Sequence, residues 1–210
     1  MAAIAETINP TRGELLKLTK RIDLAKRGHE LLKEKRDALI TEFFDIIDEL
    51  QGAREEMYKR MSEAFKELTT ANMVMGSLEV KKAALASERD LEIDLDTRNI
   101  MGVTVPIIEI GGIKRKVAER GYGLVQTSPK LDDAAKKFEV ALEAILKLAE
   151  VEETVKLLAK EIEKTKRRVN SLENVIIPHL EKMKKFIEFR LEELERETFF
   201  RLKRVKQVIA

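Results

Sequence analysis

The sequence predicts a mainly α-helical fold: a long antiparallel two-helix coiled coil formed by the N- and C-terminal helices, with a small β-hairpin and loop region in the middle. Two long segments, residues 12–87 and 130–208, carry apolar residues at helical period, and the segment between them does not. Charged residues make up 37% of the chain and aromatic residues 5%, without any Trp. This composition is typical of helices that each bury one narrow stripe.

The first predicted element is a long helix within residues 1–90. Thr11 followed by Glu14 matches the capping box that begins many helices. The apolar seam then alternates steps of three and four residues, which is the spacing of a coiled-coil stripe. Its members are Leu15, Leu18, Ile22, Ala25, His29, Leu32, Arg36, Leu39, Phe43, Ile46, Leu50, Ala53 and Met57. An extra step of four to Met61 predicts a local unwinding of the supercoil, a stutter. The seam then continues with Ala64, Leu68, Ala71 and Met75.

Three glycines, Gly28, Gly52 and Gly76, lie within this helical pattern. Each weakens a helix interior by about 1 kcal/mol relative to Ala. They mark either the close approach of another backbone or weak points that the helix tolerates, and the sequence leaves both interpretations open.

The middle region, residues 91–128, changes period. Residues 102–110 are rich in β-branched side chains, residues 113–117 alternate apolar and charged side chains, and Gly111-Gly112 separates the two runs. Two such runs around Gly-Gly predict a β-hairpin over residues 100–117. An isolated hairpin is marginal in water, so it must lean on the helices or be ordered by a partner.

The return helix is predicted within residues 129–210, beginning at Ser128-Pro129. Pro178 lies inside the run and predicts a kink in a continuing helix, with a complete break as the alternative. The predicted return seam consists of Phe138, Leu142, Ile145, Val155, Ile162, Val169, Leu172, Ile176, Leu180, Met183, Ile187, Leu194 and Val205.

The sequence offers no constellation for catalysis, for a cofactor or for a metal. It has no Cys and two His residues, and its glycines lack the Lys and Ser/Thr of a phosphate-binding loop. His29 on the seam is expected to be packed or to face a partner. Arg36 on the seam either snorkels, pairs with a carboxylate across the seam, or fixes the register.

Basic residues concentrate near both ends of the chain. Nine Lys/Arg stand against four Asp/Glu between Arg12 and Arg36, and another basic run follows Glu197. In an antiparallel pair these segments lie at the same end, where we expect them to be surrounded by an acidic or polar collar. The predicted contact residues are Arg12, Lys17, Arg21, Arg27, Arg36, Arg201, Lys203, Arg204 and Lys206. A loosely ordered basic tip is the alternative. Binding to nucleic acid is not predicted, since the net charge is only +2.

Several segments carry a resemblance to a known family. The chain resembles the D subunit of the archaeal A-type and vacuolar V-type rotary ATPases nearly from end to end. The matching segments are residues 8–12 (INPTR), 24–37 (LAKRGHELLKEKRD), 101–106 (MGVTVP), 120–124 (RGYGL), 175–180 (VIIPHL), 195–197 (ERE) and 201–204 (RLKR).

The resemblance implies a non-catalytic central shaft. Its terminal helices penetrate the catalytic ring of A and B subunits, and its middle region faces the membrane. It binds the small F subunit of the stalk, and the C subunit links it to the ion-driven membrane rotor. The complex then lies on the cytoplasmic side of the cell membrane, and this chain does not span the membrane. The hairpin is implicated in regulating hydrolysis, with Val103, Val105, Ile108, Ile110 and Ile113 as its expected partner-binding residues.

Two other functions fit the periodicity and the charges. A generic coiled-coil tether or adaptor would form a discrete oligomer through its own seam. A nucleic-acid-associated coiled coil would bind with a steep dependence on salt.

Overall fold

The computed structural model describes residues 9–87, 93–113, 115, 120–123 and 127–209, with Ile110 described by its backbone alone. It confirms the predicted mainly α fold with a long N-terminal helix, a long C-terminal helical segment and a two-stranded antiparallel hairpin between them. The elements are α1 (Arg12–Met75), α2 (Ser77–Ala86), β1 (Ile93–Ile100), β2 (Val103–Ile110), α3 (Pro129–Ser171), a π-helical segment (Leu172–Ile176) and α4 (Ile177–Ile209).

The internal contacts of the chain divide it into two compact units. The terminal unit comprises Met1–Ala38 and Ile162–Ala210, and the central unit comprises Leu39–Glu161. Helix α1 begins in the terminal unit and continues into the central unit, which also holds α2, the hairpin and most of α3.

Both long helical segments begin where the sequence predicts. The backbone N–H of Glu14 donates to Oγ1 of Thr11 at 3.2 Å, which caps the start of α1. At the start of α3, the N–H of Lys130 donates to Oγ of Ser128 at 3.3 Å, and Pro129 takes the first helical position, which needs no donor.

The predicted seam of α1 is confirmed along its whole length. Every one of its residues is buried or half-buried, and the stripe continues through the predicted stutter from Met57 to Met61. Leu39, Ala64 and Ala71 have no exposed surface. A single apolar stripe therefore organises the helix in both units.

In the terminal unit, α1 packs antiparallel to α4. Leu18, Ile22 and Ile187 form a buried cluster, bordered by Leu15, Leu180, Met183, Phe186 and Leu191. Two ion pairs flank it: Arg12 to Glu195 at 2.7 Å and Lys26 to Glu181 at 2.8 Å. The pairs lie two heptads apart on each helix, so one register serves both.

The return seam differs from the prediction around Pro178. The chain stays helical there, so the complete break is wrong, while the kink remains a prediction. The π-helical segment inserts one extra residue, because π hydrogen bonds run from i to i+5. The seam consequently steps from Leu172 to Ile177, and Ile176 turns outward with 40% of its surface exposed. Leu194 and Val205, also predicted on the seam, are exposed as well.

The three glycines of the first helical pattern differ in their effect on the helix. Gly76 adopts φ +84° and interrupts the predicted single helix, so α1 ends at Met75 and α2 begins at Ser77. At Gly28 and Gly52 the helix continues, and no described atom lies within 4 Å of the position of a Cβ. No described part of this chain therefore approaches either glycine closely, and within the chain both are weak points that the helix tolerates.

The predicted β-hairpin exists, but its placement at residues 100–117 is wrong. The strand predicted at residues 102–110 is confirmed as β2, and its partner is β1, which precedes it. The turn lies at Met101-Gly102, with φ of 49° and 86°, rather than at Gly111-Gly112. Positive φ at both central residues is the geometry of a type I′ turn. The N–H of Gly102 also donates to Oδ1 of Asn99 at 2.8 Å.

The hairpin leans on the rest of the central unit through β2. Val103 and Val105 are buried, whereas every residue of β1 except Ile100 is exposed. The N–H of Ile108 donates to Oε2 of Glu150 on α3 at 3.4 Å. One strand thus anchors the hairpin, and the other presents its surface outward.

The turn position can be tested with matched substitutions. Met101→Asn should stabilise the hairpin by up to about 1 kcal/mol, because Asn adopts the left-handed conformation at lower cost than Met. Amide hydrogen exchange of β1 and β2 measures the effect. Gly111→Asn is the control, since it creates the same Asn-Gly pair after β2. Greater protection from Gly111→Asn than from Met101→Asn would return the turn to Gly111-Gly112.

Candidate functional site

The basic residues predicted to contact a partner are mostly exposed. Arg12 pairs with Glu195, Lys17 with Glu14 at 2.8 Å, and Arg201 with Glu197 at 3.6 Å. The others that lie on open surface are Arg21, Arg27, Lys203, Arg204 and Lys206. Surface ion pairs of this kind contribute little to stability, so these side chains remain able to exchange partners.

The two basic segments do not lie side by side as expected. Arg12 is the first residue of α1 and pairs with Glu195, so α4 continues past the start of α1. Residues 196–209, which we call the overhang, form about four further helical turns, or roughly 21 Å. Every overhang residue is exposed. The basic residues of the overhang therefore lie past those of α1 along the helix axis rather than beside them, which reduces the repulsion between the two segments.

Exposed apolar side chains alternate with the basic ones along the overhang. Phe199 and Phe200 are 67% and 65% exposed, so neither ring packs into the seam within this chain. Their rings contact each other edge to face with centroids 6.4 Å apart. The further exposed apolar residues of the overhang are Leu202, Val205, Val208 and Ile209. An apolar surface of this extent is typical of a site that another molecule covers.

The two polar residues on the α1 seam differ from each other. Arg36 pairs with Asp37, its neighbour on the same helix, through Nε at 2.9 Å and Nη2 at 2.7 Å. His29 is packed, as expected: its Nε2 lies 3.7 Å from Oε2 of Glu173, too far for a hydrogen bond, and is buried.

The hairpin residues predicted to bind a partner fall into separate groups. Val103, Val105 and Ile113 are buried within the chain itself, which argues against direct contact with a partner. Ile108 is half-buried, and the side chain of Ile110 lies outside the described part of the structure. The exposed apolar residues of the hairpin are instead Ile93 and Leu95 on β1 and Met101 in the turn.

A buried polar cluster in the central unit was not predicted from the sequence. Arg120 is 3% exposed and bonds to α3 through Asp132 and Glu139. Its Nη1 lies 3.1 Å from both the carbonyl oxygen and Oδ1 of Asp132, and its Nη2 lies 3.4 Å from Oε1 of Glu139. The hydroxyl of Tyr122 donates to the same Asp132 Oδ1 at 2.7 Å. We call Arg120, Tyr122, Asp132 and Glu139 the Arg120 cluster.

Burial of the Arg120 cluster affects both the protonation of Tyr122 and the pairing of Arg120. Burial raises the pKa of Tyr122, and its hydrogen bond to Asp132 raises the pKa further, so the phenol stays protonated and donates at neutral pH. A buried guanidinium is costly unless it is paired, and here two carboxylates pair with its Nη1 and Nη2, while Nε is buried without a hydrogen-bond partner among the described residues. The cluster therefore ties the loop at residues 120–123 to the first turns of α3.

Gly121 fixes the same loop to the end of α2. It adopts φ +81°, and a Cβ built there would lie 2.3 Å from the carbonyl oxygen of Ala86. Nη1 of Arg115 donates to the carbonyl oxygen of Ser87 at 3.0 Å, one residue further on. Only glycine allows this approach, because any larger residue would meet backbone rather than a movable side chain.

The structure shows two further properties. Among the described residues, no three or more His, Asp or Glu side chains are grouped so that they could hold a metal ion. Within the same ranges, no helix combines the length and the apolar character needed to cross a membrane.

The fold and these surfaces define a helical coiled-coil protein whose candidate sites are surfaces for other proteins. Comparison with known proteins gives the family. The family profile that describes the D subunit of ATP synthase matches residues 14–207.

The relatives that carry the name of the A-type ATP synthase D subunit include those of Pyrococcus horikoshii, Thermococcus gammatolerans and Methanopyrus kandleri. The first is 56% identical over 96% of this chain and 94% of its own length. The second is 56% identical over 98% of this chain and 97% of its own length. The third is 50% identical over 98% of this chain and 88% of its own length.

The chain belongs to the family of ATP synthase D subunits. It is a stalk subunit of an A/V-type ATP synthase, a peripheral part of a complex of several subunits. The generic tether is not favoured by these relatives.

The role of Gly121 can be tested with its neighbour Gly123. Gly121→Ala should lower the free energy of unfolding by about 2 kcal/mol or more, because it adds left-handed strain to a clash with a carbonyl oxygen. Gly123→Ala should be nearly neutral, since no described atom lies within 4 Å of its Cβ position. Urea unfolding followed by circular dichroism measures both. Equal effects of the two substitutions would contradict a tight contact at Gly121.

Proposed function

We propose that this chain is the rotor of the central stalk, a non-catalytic shaft. It transmits torque between the ion-driven membrane rotor and the catalytic ring of A and B subunits, so that ion translocation is coupled to ATP synthesis or hydrolysis. The observation that carries this proposal is the overhang, a helical end that is exposed, apolar along one stripe and basic around it.

The overhang suits insertion into a ring. Its apolar stripe, Phe199, Leu202, Val205 and Ile209, follows helical spacing, and basic residues flank it. Five basic residues stand against one acidic residue, Glu197, in residues 196–209. An acidic or polar lining around the tip would attract this charge without gripping it in a deep pocket.

The overhang also supplies the asymmetry that a shaft needs. Helix α1 begins at Arg12, so of the two helices only α4 extends into the overhang, whereas next to it α1 and α4 lie paired. A ring that surrounds such an end meets a different face at each of its catalytic sites. Rotation can then bias the conformations of the catalytic subunits in turn, through contacts that differ between states.

The remaining partners are assigned from the family resemblance. The C subunit would meet the membrane-facing middle of the chain, where Met73, Val74, Leu78 and Leu85 are exposed around the Gly76 break. The small F subunit completes the stalk. The complex would then lie on the cytoplasmic side of the cell membrane.

Co-purification from the native host tests the rotor. Tagged chain should recover the nucleotide-binding ring subunits, and the double substitution Phe199→Ala/Phe200→Ala should reduce their recovery several-fold while leaving the helix content unchanged, because both rings are exposed. Mass spectrometry of the eluates measures recovery. Tyr58→Ala is the control: Tyr58 is 63% exposed and lies outside the predicted inserted segments.

Two outcomes would contradict the proposal. Recovery of no ring subunits by the unmodified chain would remove the rotor function altogether. Equal recovery by the Phe199/Phe200 variant and by the Tyr58 control would show that the overhang is not the inserted end.

The hairpin is proposed to regulate hydrolysis through its outward face. Ile93 and Leu95 share this face with Ile108, whereas Val103 and Val105 are buried on the opposite face of the hairpin. Ile93→Ser/Leu95→Ser should leave assembly intact and change ATP turnover of the whole complex. Asp94→Ser/Asp96→Ser, on the other face of the same strand, is the control. Loss of assembly in the first variant would show that the hairpin is a structural contact instead.

A further inference from the structure

We propose that the Arg120 cluster is the clamp through which torque enters the long helices. This inference rests on the proposed rotor function. In that function, load arrives at the membrane-facing middle region and must pass into α1 or α3 to reach the ring. The described junctions to these two helices differ in how firmly they are built.

The covalent junction between α1 and α2 is a single residue, and beside it Leu68 and Met75 of α1 make apolar contacts with the buried cluster of Val80, Ala83 and Leu131. Gly76 separates α1 from α2 with φ +84° and ψ 148°, and no described atom lies within 4 Å of its Cβ position. Backbone hydrogen bonds continue on either side, from the N–H of Gly76 to the carbonyl of Asn72 and from the N–H of Val80 to the carbonyl of Gly76. A lone glycine between two helices resists bending and twisting weakly, because no side chain packs against it.

The junction to α3 is cross-braced. The loop at residues 120–123 contacts the end of α2 at Gly121 and holds α3 at two positions two turns apart, Asp132 and Glu139. Tyr122 adds a third bond, to Asp132. Bracing at two positions along α3 opposes rotation of the loop about either contact.

Apolar packing alone would not provide this resistance. Val80 and Ala83 of α2 share a buried cluster with Leu131 of α3. Such contacts are non-directional, and helices can slide along them at modest cost. Charge-assisted hydrogen bonds to a buried guanidinium are directional, and leaving one partner unpaired is expensive. The Arg120 cluster is therefore the part of the junction that fixes an angle.

The prediction concerns loaded and unloaded operation separately. In the Arg120→Met variant, the junction between the loop at residues 120–123 and α3 should deform when the torque is high. When the torque is low, the remaining contacts of this junction should be sufficient to turn the long helices. ATP hydrolysis measured with an ionophore present should be unchanged. The largest ion gradient that the same complexes can build should fall to roughly half or less. Arg120→Met removes one partner of a buried ion pair and leaves the carboxylates of Asp132 and Glu139 without it, which weakens the junction strongly.

The experiment uses the complete complex reconstituted in liposomes, with both H⁺ and Na⁺ accumulation followed. Arg120→Lys keeps the charge without the fork and should give an intermediate gradient. Arg54→Met is the matched control, because it removes a surface pair with Glu152 in the same unit. If Arg120→Met does not assemble, Tyr122→Phe removes only the hydroxyl bond and should lower the limiting gradient less, again without affecting unloaded hydrolysis.

Several results would overturn the clamp. The first is that Arg120→Met and Arg54→Met build the same limiting gradient. If Tyr122→Phe has to replace Arg120→Met, the same comparison applies to Tyr122→Phe. Another is a gradient that falls only in proportion to unloaded hydrolysis, as a purely structural defect would produce. Failure of the rotor function is distinguishable, since complexes lacking this chain would then build the same gradient as complete ones.

Discussion

Each long helix of this chain can bury only one stripe of its surface, and the rest of the structure depends on that constraint. Helix α1 has 64 residues, and its apolar residues follow one seam from Leu15 to Met75. A helix this polar gains most of its stability from a partner along the seam rather than from intrinsic propensity. The chain therefore has to supply its own partner, α4 in the terminal unit.

Ion pairs beside the apolar seam help to set the register of α1 against α4. In the paired part of the terminal unit, the basic residues Arg12 and Lys26 face the carboxylates of Glu195 and Glu181. Each exposed pair adds little energy, but together they favour one register over its neighbours. Past Glu195 only Glu197 is acidic and the exposed side chains become basic and aromatic. The change in charge pattern coincides with the change from a surface used inside the chain to one open to other molecules.

The sequence predicts periodic features of this molecule well and local ones poorly. The α1 seam and both helix starts follow from spacing and capping residues. The hairpin turn does not, because Met101 is an unusual residue at positive φ and Gly111-Gly112 is the stronger signal. The Arg120 cluster joins residues that lie 12 and 19 positions apart, and no period links a loop to a helix in this way. The only sequence feature that could have indicated the Arg120 cluster is an Arg next to Gly121, shortly before the acidic first turn of α3.

The π-helical segment has a consequence for the phase of every residue that follows it. The extra residue between Leu172 and Ile177 is absorbed in a wider turn, because a π turn holds more residues than an α turn. In an unbroken α-helix the same residue would rotate all following side chains by about 100° around the helix axis. The wider turn therefore keeps Leu180, Met183 and Ile187 facing α1. It also sets the side of the helix on which the stripe from Phe199 to Ile209 lies, more than twenty residues further on.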